Sequence, residues 1–393
     1  MSKKAGLLQA IALQGLEIAP SQVWGAIRIV PLLRQQVRYD LRLLRRDYHE
    51  DITVVSLEGE MMAPGLKYIS YVPHGLVLSW SDDGSPVVAL GGQIMSEGKR
   101  LTSGPLSMRV MHRMARPEAD NRLRFLPLHL AMEGFLSLFF SGPEIAWSEY
   151  SHQALRQGLS PRYEMSVGGR AILGLEEALK VFEIHDRQVG VLLFVSEALA
   201  SAFVTPTPED YRALHSSLLE DFYGELLFYY GRTGTTARME LSMNETSIDS
   251  LETLKDALAQ MRSEWADVQG FMAGNLLGRD VSAKRVYTAG SFTLQRFITD
   301  LRLKTENHIG EAIVRDNGQL EYLKTYRLSE AQTRRVYLLS QLAASDWHLD
   351  SAARKLGNTR EELVIRLEKA GFGYLLNNQL IEKARKKARK ERR

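Results

Sequence analysis

The stretch DSAARKLGNTREELVIRLEKAGFG, Asp350 to Gly373, decides how the end of this chain folds. Leu349 to Leu356 has the length and composition of one short helix, which Gly357 ends because glycine accepts the left-handed conformation of a helix stop. Thr359 and Glu362 form a T-x-x-E capping box that starts the next helix. That helix is apolar at Leu363, Leu367 and Ala370 and ends at Gly371. Upstream, Ser329 caps a longer helix that reaches about Ala344. The pattern predicts a three-helix unit with a tight turn between its last two members.

Charge is uneven around this unit. From Glu382 to Arg393 there are eight Lys/Arg and two Glu, a local +6, so the chain's net +3 leaves −3 for everything before it. A mildly acidic body with a basic end suits electrostatic contact with nucleic acid. It equally suits a helix end whose cations complement the backbone dipole. From Asp346 to Asn378 there are five Lys/Arg and five Asp/Glu, so the three-helix unit itself is neutral.

Working towards the N-terminus, AIVRDNGQLEYLKTY (Ala312 to Tyr326) predicts a hairpin, with Asn317-Gly318 as its two-residue turn. A helix is expected around Ile248 to Met261, apolar at Leu251, Leu254, Leu258 and Met261. GRTGTTARMELSMNETS (Gly231 to Ser247) reads as a linker. Thr207 to Tyr230 opens with a threonine cap, a proline at the first helical position and acids in the first turn, and so predicts a helix. QVGVLLFVSEALASAFVT (Gln188 to Thr205) reads as a buried strand, a turn and a second strand, and Leu173 to Ile184 as a helix. Between residues 16 and 125, WGAIRIVPLL, DITVVSLEG, LKYISYV, GLVLSWS and PVVALGG have strand length and β-branched content. LEGEMMAPG (Leu57 to Gly65) and LGGQIMSEG (Leu90 to Gly98) share one pattern at a spacing of 33 residues, which suggests two similar strand–turn units.

These readings give an α+β protein. A β-rich N-terminal domain with packed helices covers 16–230, a small α+β module with the hairpin covers 231–328, the three-helix unit covers 329–378, and a basic tail covers 379–393. The chain has no cysteine, which excludes disulfides, thiol catalysis and cysteine-held metals. The longest apolar run, Ala131 to Pro143, is too short to span a bilayer. A cytoplasmic protein without membrane contact is the expectation.

Chemistry-bearing constellations are thin. Glu60 and Gln93 hold equivalent places in the repeat, and Arg100, Glu133 and Arg170 lie beside apolar or glycine-rich segments, so these five form a candidate pocket. Arg170, in SVGGRAI, has the setting of a phosphate-binding guanidinium or of a solvated arginine in a surface turn. No H-E-x-x-H pair, phosphate loop or G-x-S-x-G elbow is present. Neither a metal nor a cofactor is expected.

The segment Glu330 to Tyr374 resembles the Fis-type helix-turn-helix through Ala352-Ala353, Gly357, Arg360, Leu363, Leu367 and Gly371. The resemblance implies a recognition helix from Thr359 to Ala370 in the major groove of DNA, and a homodimer. Thr359, Arg360, Arg366 and Lys369 are then the DNA contacts on the helix, and Lys383, Arg385, Lys386 and Lys387 those on the tail. Glu361, Glu362 and Glu368, with Val364 and Ile365, depart from the family's usual polar and basic residues. A bundle that serves protein contact alone is therefore the other reading. Residues 16–230 resemble the ARG and rhodanese-phosphatase-superfamily-associated domain, where ARG stands for ADP-ribosylglycohydrolase. The residues behind this are WGAIRIVPLL, VVALGGQIMSEGKR, QVGVLLFVSEALASAF and YRALHSSLLEDFYGEL. This resemblance implies a setting in NAD and ADP-ribose metabolism and a nucleotide-type ligand, without a defined reaction. Two functions follow: a regulatory protein that joins a ligand- or partner-binding body to a DNA-contacting end, or an enzyme or accessory factor of NAD/ADP-ribose metabolism that uses the end for assembly.

Overall fold

A computed structural model of the chain describes residues 6–44, the strand backbones at 76–80, 86–90, 94–96 and 99–101, residues 139–140 and 184–218, scattered positions from 223 to 247, and residues 248–373 and 376–391. The body is built on one antiparallel sheet. Its strands are β1 (Leu16–Ile18), β2 (Gln22–Trp24), β3 (Ile27–Arg34), β9 (Gln188–Val195), β10 (Ala198–Val204), β11 (Val281–Ala289), β12 (Phe292–Thr299), β13 (Asn307–Arg315) and β14 (Leu320–Leu328). They lie in the order β1-β3-β9-β10-β14-β13-β12-β11, with β2 sharing the outer edge of β3. Apart from this sheet, β4 (Arg42–Leu44), β5 (Leu76–Trp80) and β6 (Pro86–Leu90) pair in the order β4-β6-β5, and β7 (Ile94–Ser96) pairs with β8 (Lys99–Leu101).

The expected hairpin is β13–β14, and Gly318 takes φ 84 in its turn. The buried run of Gln188 to Thr205 is β9–β10, turned through Ser196 and Glu197, which both have positive φ. Pro31 sits in β3 where the missing N–H costs little. Its carbonyl accepts from Ala19, so the absent donor would face the gap between the end of β2 pairing at Ile29 and the start of β1 pairing at Leu32.

The mixed α+β class holds. The sheet crosses the 230/231 boundary, because Phe203 and Val204 of β10 pair with Lys324 and Leu323 of β14. Strands on both sides of that boundary thus share one sheet. The helix expected around Ile248 to Met261 runs from Leu251 to Met272 (α2), with a capping box at Ser250 and Thr253. It is mostly exposed: Leu251 is 69% and Phe271 86% accessible. Of the helix expected over Thr207 to Tyr230, α1 spans Pro208–Ser217. Residues 173–183 of the helix expected over Leu173 to Ile184, and the strands DITVVSLEG and LKYISYV, fall outside the described residues, and Ile184 itself is not helical.

Each sheet face carries its own core. On one, Val30, Leu192, Phe194, Ala202, Phe297 and Leu323 pack with Ile11, Ala273 and Leu276. On the other, Ile29, Val191, Leu193, Phe203, Ile309, Ile313, Tyr322 and Tyr326 pack with Tyr211 and Leu218. This second cluster continues without a break through Val336, Leu339 and Leu342 of α3 (Glu330–Ala343) into Ala352, Ala353, Leu363, Leu367 and Phe372.

Gly310 of β13 shows how tightly the sheet is stacked. A Cβ there would lie 2.4 Å from the Lys324 carbonyl oxygen and 2.7 Å from the Phe297 ring. Backbone cannot yield to so close an approach without disturbing the strand pairing. Gly310→Ala is expected to cost about 2 kcal/mol, read as a lowered urea midpoint with an unchanged slope.

Candidate functional site

The C-terminal helices form as the local sequence dictates. In α3, Ser329 and Gln332 close a capping box. The short α4 (Leu349–Lys355) stops at Gly357, φ 65. In α5 (Arg360–Leu367), the Thr359 hydroxyl accepts from the Glu362 N–H at 3.2 Å and the Glu362 carboxylate accepts from the Thr359 N–H at 2.7 Å. A wider turn, Glu368–Phe372, follows and breaks at Gly371, φ 84. The Arg335 guanidinium stacks over the Phe372 ring at 4.8 Å and ties this turn to α3.

The tail is a helix, α6 (Asn378–Glu391), and it lies against α5. Ile381 and Ala384 are buried against Val364, with Ile365 and Leu376 at the margin. This explains the two apolar residues that depart from the Fis pattern. Leu363 and Leu367 face the main core while Val364 and Ile365 face α6, so α5 has two apolar sides because it has two neighbours.

Ion pairs reinforce the contact. Arg385 pairs with Glu368 of the wide turn and, at 2.8 Å, with Glu382, while Lys387 reaches Glu361 at 3.2 Å. The Glu361 carboxyl is held below the usual carboxylate range, first by its own backbone N–H and then by Lys387. Among the other expected DNA contacts, Arg360 pairs with Asp350 at 3.4 Å and Arg366 donates to Asn358 at 3.4 Å. Lys369, Lys383 and Lys386 are exposed. Three of the eight expected contacts, Arg360, Arg385 and Lys387, thus have carboxylate partners within the chain.

The α5–α6 contact is testable by itself. Ile381→Asp places a carboxylate in the apolar contact and is expected to release α6. Tryptic cleavage at Lys383 and Arg385 should then quicken roughly thirtyfold, the equivalent of about 2 kcal/mol of local opening, while the sheet keeps its midpoint.

A second constellation lies on the sheet, and sequence reasoning missed it. Strand register sets Lys284 of β11 opposite Arg296 of β12, Arg296 opposite Glu311 of β13, and Glu311 opposite Lys324 of β14. These charges form one row on the face that carries Ile309, Ile313, Tyr322 and Tyr326. Arg296 Nε donates to Glu311 Oε1 at 2.8 Å, and both groups are buried. Lys284 donates to the Phe139 carbonyl and lies 5.0 Å from that ring. Burial pushes the Lys324 ammonium well below, and the Tyr322 hydroxyl well above, their ordinary values. Tyr223 donates to Ser201 at 3.2 Å, and Ser201 donates to the Thr325 carbonyl at 2.6 Å. Burial thus favours the neutral form of Lys324, whose strand neighbour Glu311 is held by Arg296. The only signal in the sequence was the placing of charged residues inside strands rich in β-branched and aromatic residues.

A family model, ARPP-2, matches residues 11–290, more than half of the chain. The chain belongs to the ARPP-2 family. No curated protein and no solved structure matches it. The ARPP-2 match includes Lys284 and ends before Arg296, Glu311, Lys324 and the C-terminal helices. In this ARPP-2 protein Glu60, Gln93, Glu133 and Arg170 lie outside the described residues, and Arg100 is described only as backbone on β8, opposite Met95. Among the described residues no group of histidine and acidic side chains could hold a metal, and no helix is long and apolar enough to cross a membrane.

Proposed function

We propose that this ARPP-2 protein is a bacterial cytoplasmic binding and regulatory protein. Its sheet body takes a small-molecule or protein partner, and its C-terminal unit, a Fis-type helix-turn-helix, contacts DNA. The observation that carries this reading is the unbroken core from the sheet through α3 into α4 and α5. A shift at Tyr322 or Tyr326 on β14 meets the same packed cluster that holds Leu363 and Leu367, so the two ends are joined by close-packed side chains rather than by a flexible tether. The basic α6 supports the nucleic-acid side of the reading.

Resemblance in the body makes a nucleotide-type molecule such as NAD or ADP-ribose the first ligand to try. Self-association also has support: Leu251, Leu254, Leu258, Met261, Trp265 and Val268 of the exposed α2 recur at alternate spacings of three and four, the pattern of a two-helix seam. The second reading, an enzyme of NAD or ADP-ribose metabolism, rests on the charged row that ends at the buried Lys324 and on the neighbouring Tyr322.

The test is duplex binding by the full chain, followed by fluorescence anisotropy with and without saturating ADP-ribose, beside a thermal-shift series. Regulation predicts duplex binding that ligand changes, with a raised Tm. A raised Tm and ADP-ribose turnover without duplex binding would favour the enzyme.

A further inference from the structure

We propose that the outward face of α6, rather than α5, is the nucleic-acid contact, and that it follows the phosphate backbone of duplex DNA without reading bases. The inference rests on the DNA-contacting reading above and narrows it to one surface.

Helical geometry divides α6 into two sides. Ile381 and Ala384 are buried and Ala388 is half-buried, which fixes the inward side. At 3.6 residues per turn, Lys383, Lys386 and Lys390 point the opposite way, with Arg389 on their flank, and all four are exposed. Arg385 and Lys387 lie at the edges of the inward side, where Glu368 and Glu361 hold them. None of the four outward cations makes a direct ion pair among the described residues, though Lys383 lies near enough to Glu361 to help hold that carboxyl low, and their helix is anchored by an apolar contact. Anchoring matters because cations on a pre-formed surface meet phosphates without the ordering cost of a loose tail.

Helix α5 is poorly placed for the role that its resemblance implies. Val364 and Ile365 are covered by α6. At its N-terminus Thr359 and Glu362 are engaged in capping each other, and Glu361 and Glu362 put two carboxylates where phosphates would approach. Its two arginines, Arg360 in the first turn and Arg366 in the last, are engaged by Asp350 and Asn358, which leaves Lys369 in the wide turn beyond it as the exposed cation. The helix acts as the buttress for α6.

A basic amphipathic helix also suits an anionic membrane surface, but that mode needs a free apolar side. Here the apolar side is spent on Val364. The remaining surface is predominantly cationic, with Glu382 as its exposed acid, partnered by Arg385, and it fits a polyanion of high charge density.

The experiment uses the full chain, two duplexes of unrelated sequence and salt from 50 to 200 mM. One variant replaces Lys383, Lys386, Arg389 and Lys390 by Gln. Another carries Arg360→Ala and Arg366→Ala. Circular dichroism and tryptic mapping check that both keep their helices. Neutralising about four phosphates gives a slope of log affinity on log salt near −3.6. The wild type is expected to bind both duplexes alike with about that slope. The glutamine variant should lose most of the slope and at least tenfold in affinity at 50 mM salt, and the α5 variant should stay within about threefold of wild type. Loss of binding in the α5 variant with retention in the glutamine variant would overturn the inference and leave the DNA reading standing. So would a preference for one duplex. Tighter binding to vesicles containing 30% phosphatidylserine than to DNA would overturn it in favour of a lipid surface. No binding of either duplex by the wild type would remove the DNA reading itself.

Discussion

Glu321→Ala is expected to lower the folding stability of the chain by about 3–5 kcal/mol. Glu321 lies between two buried arginines. Its Oε2 is 3.7 Å from Arg34 Nη1, and its other oxygen accepts from Arg315 Nε. Arg315 also forks onto the Asp40 carboxylate, with Nη1 at 2.7 Å, and its guanidinium stacks over the Phe292 ring at 4.6 Å. Arg34 is 1% exposed, and burial lowers its pKa despite Glu321. The four charges cancel. Removing Glu321 leaves Arg34, among the described residues, with only the carbonyls of Leu320 and Thr205, at 3.0 and 3.5 Å. The penalty comes from a stranded charge more than from a lost attraction. Arg34→Met combined with Glu321→Leu should therefore recover much of the loss, and urea melts of the single and double variants measure this coupling. A double variant no more stable than Glu321→Ala would refute the account.

Acid is expected to weaken the fold through a different group. His308 of β13 is fully buried, and neither ring nitrogen has a hydrogen-bond partner among the described residues. Burial, and then the nearby Arg327 and Arg279, push its pKa down to about 3. The unfolded chain takes up this proton near pH 6.5, so between those limits the unfolded state binds more protons. The contribution of His308 is complete above about pH 6.5 and is lost as the pH falls towards 3. Between pH 6.5 and 4 this amounts to about 3 kcal/mol. His215 acts in the same direction, since burial lowers its pKa to about 4, but it is only partly covered and adds less. Denaturation midpoints measured at intervals of half a pH unit should fall steeply below pH 6.5 in the wild type. His308→Leu should flatten that fall, and an equally steep curve would exclude His308 as its cause.

Local chemistry was legible in the sequence wherever neighbours in the chain decide the outcome. Asn317-Gly318 sets the β13–β14 turn, Thr359 and Glu362 cap α5, and Gly357 and Gly371 take positive φ at the stops the pattern assigns them. Pairings between distant strands were not legible. Nothing near Phe203 announces Lys324 as its partner, so one sheet read as two modules. A shift in the β13–β14 register between Ile313 and Val314 also alters which way Glu321 points, and simple alternation cannot foresee that. The charged row needed three registers at once. Helix α6 did leave a trace, in Val364 and Ile365 on the far side of α5 and in Ile381, Ala384 and Ala388 within a charged run. The weight of its cations hid that spacing.

The core shared through α3 also bears on how the protein comes apart. Val336, Leu339 and Leu342 bury themselves on the sheet and in the helical end together, so the segment from Ser329 onward is not a cassette that can be cut away and grafted elsewhere. Excision before Ser329 would bare an oily stripe on α3 and strip the cover from Tyr322 and Tyr326. Heat should melt strands and helices in one cooperative step, with a single calorimetric peak.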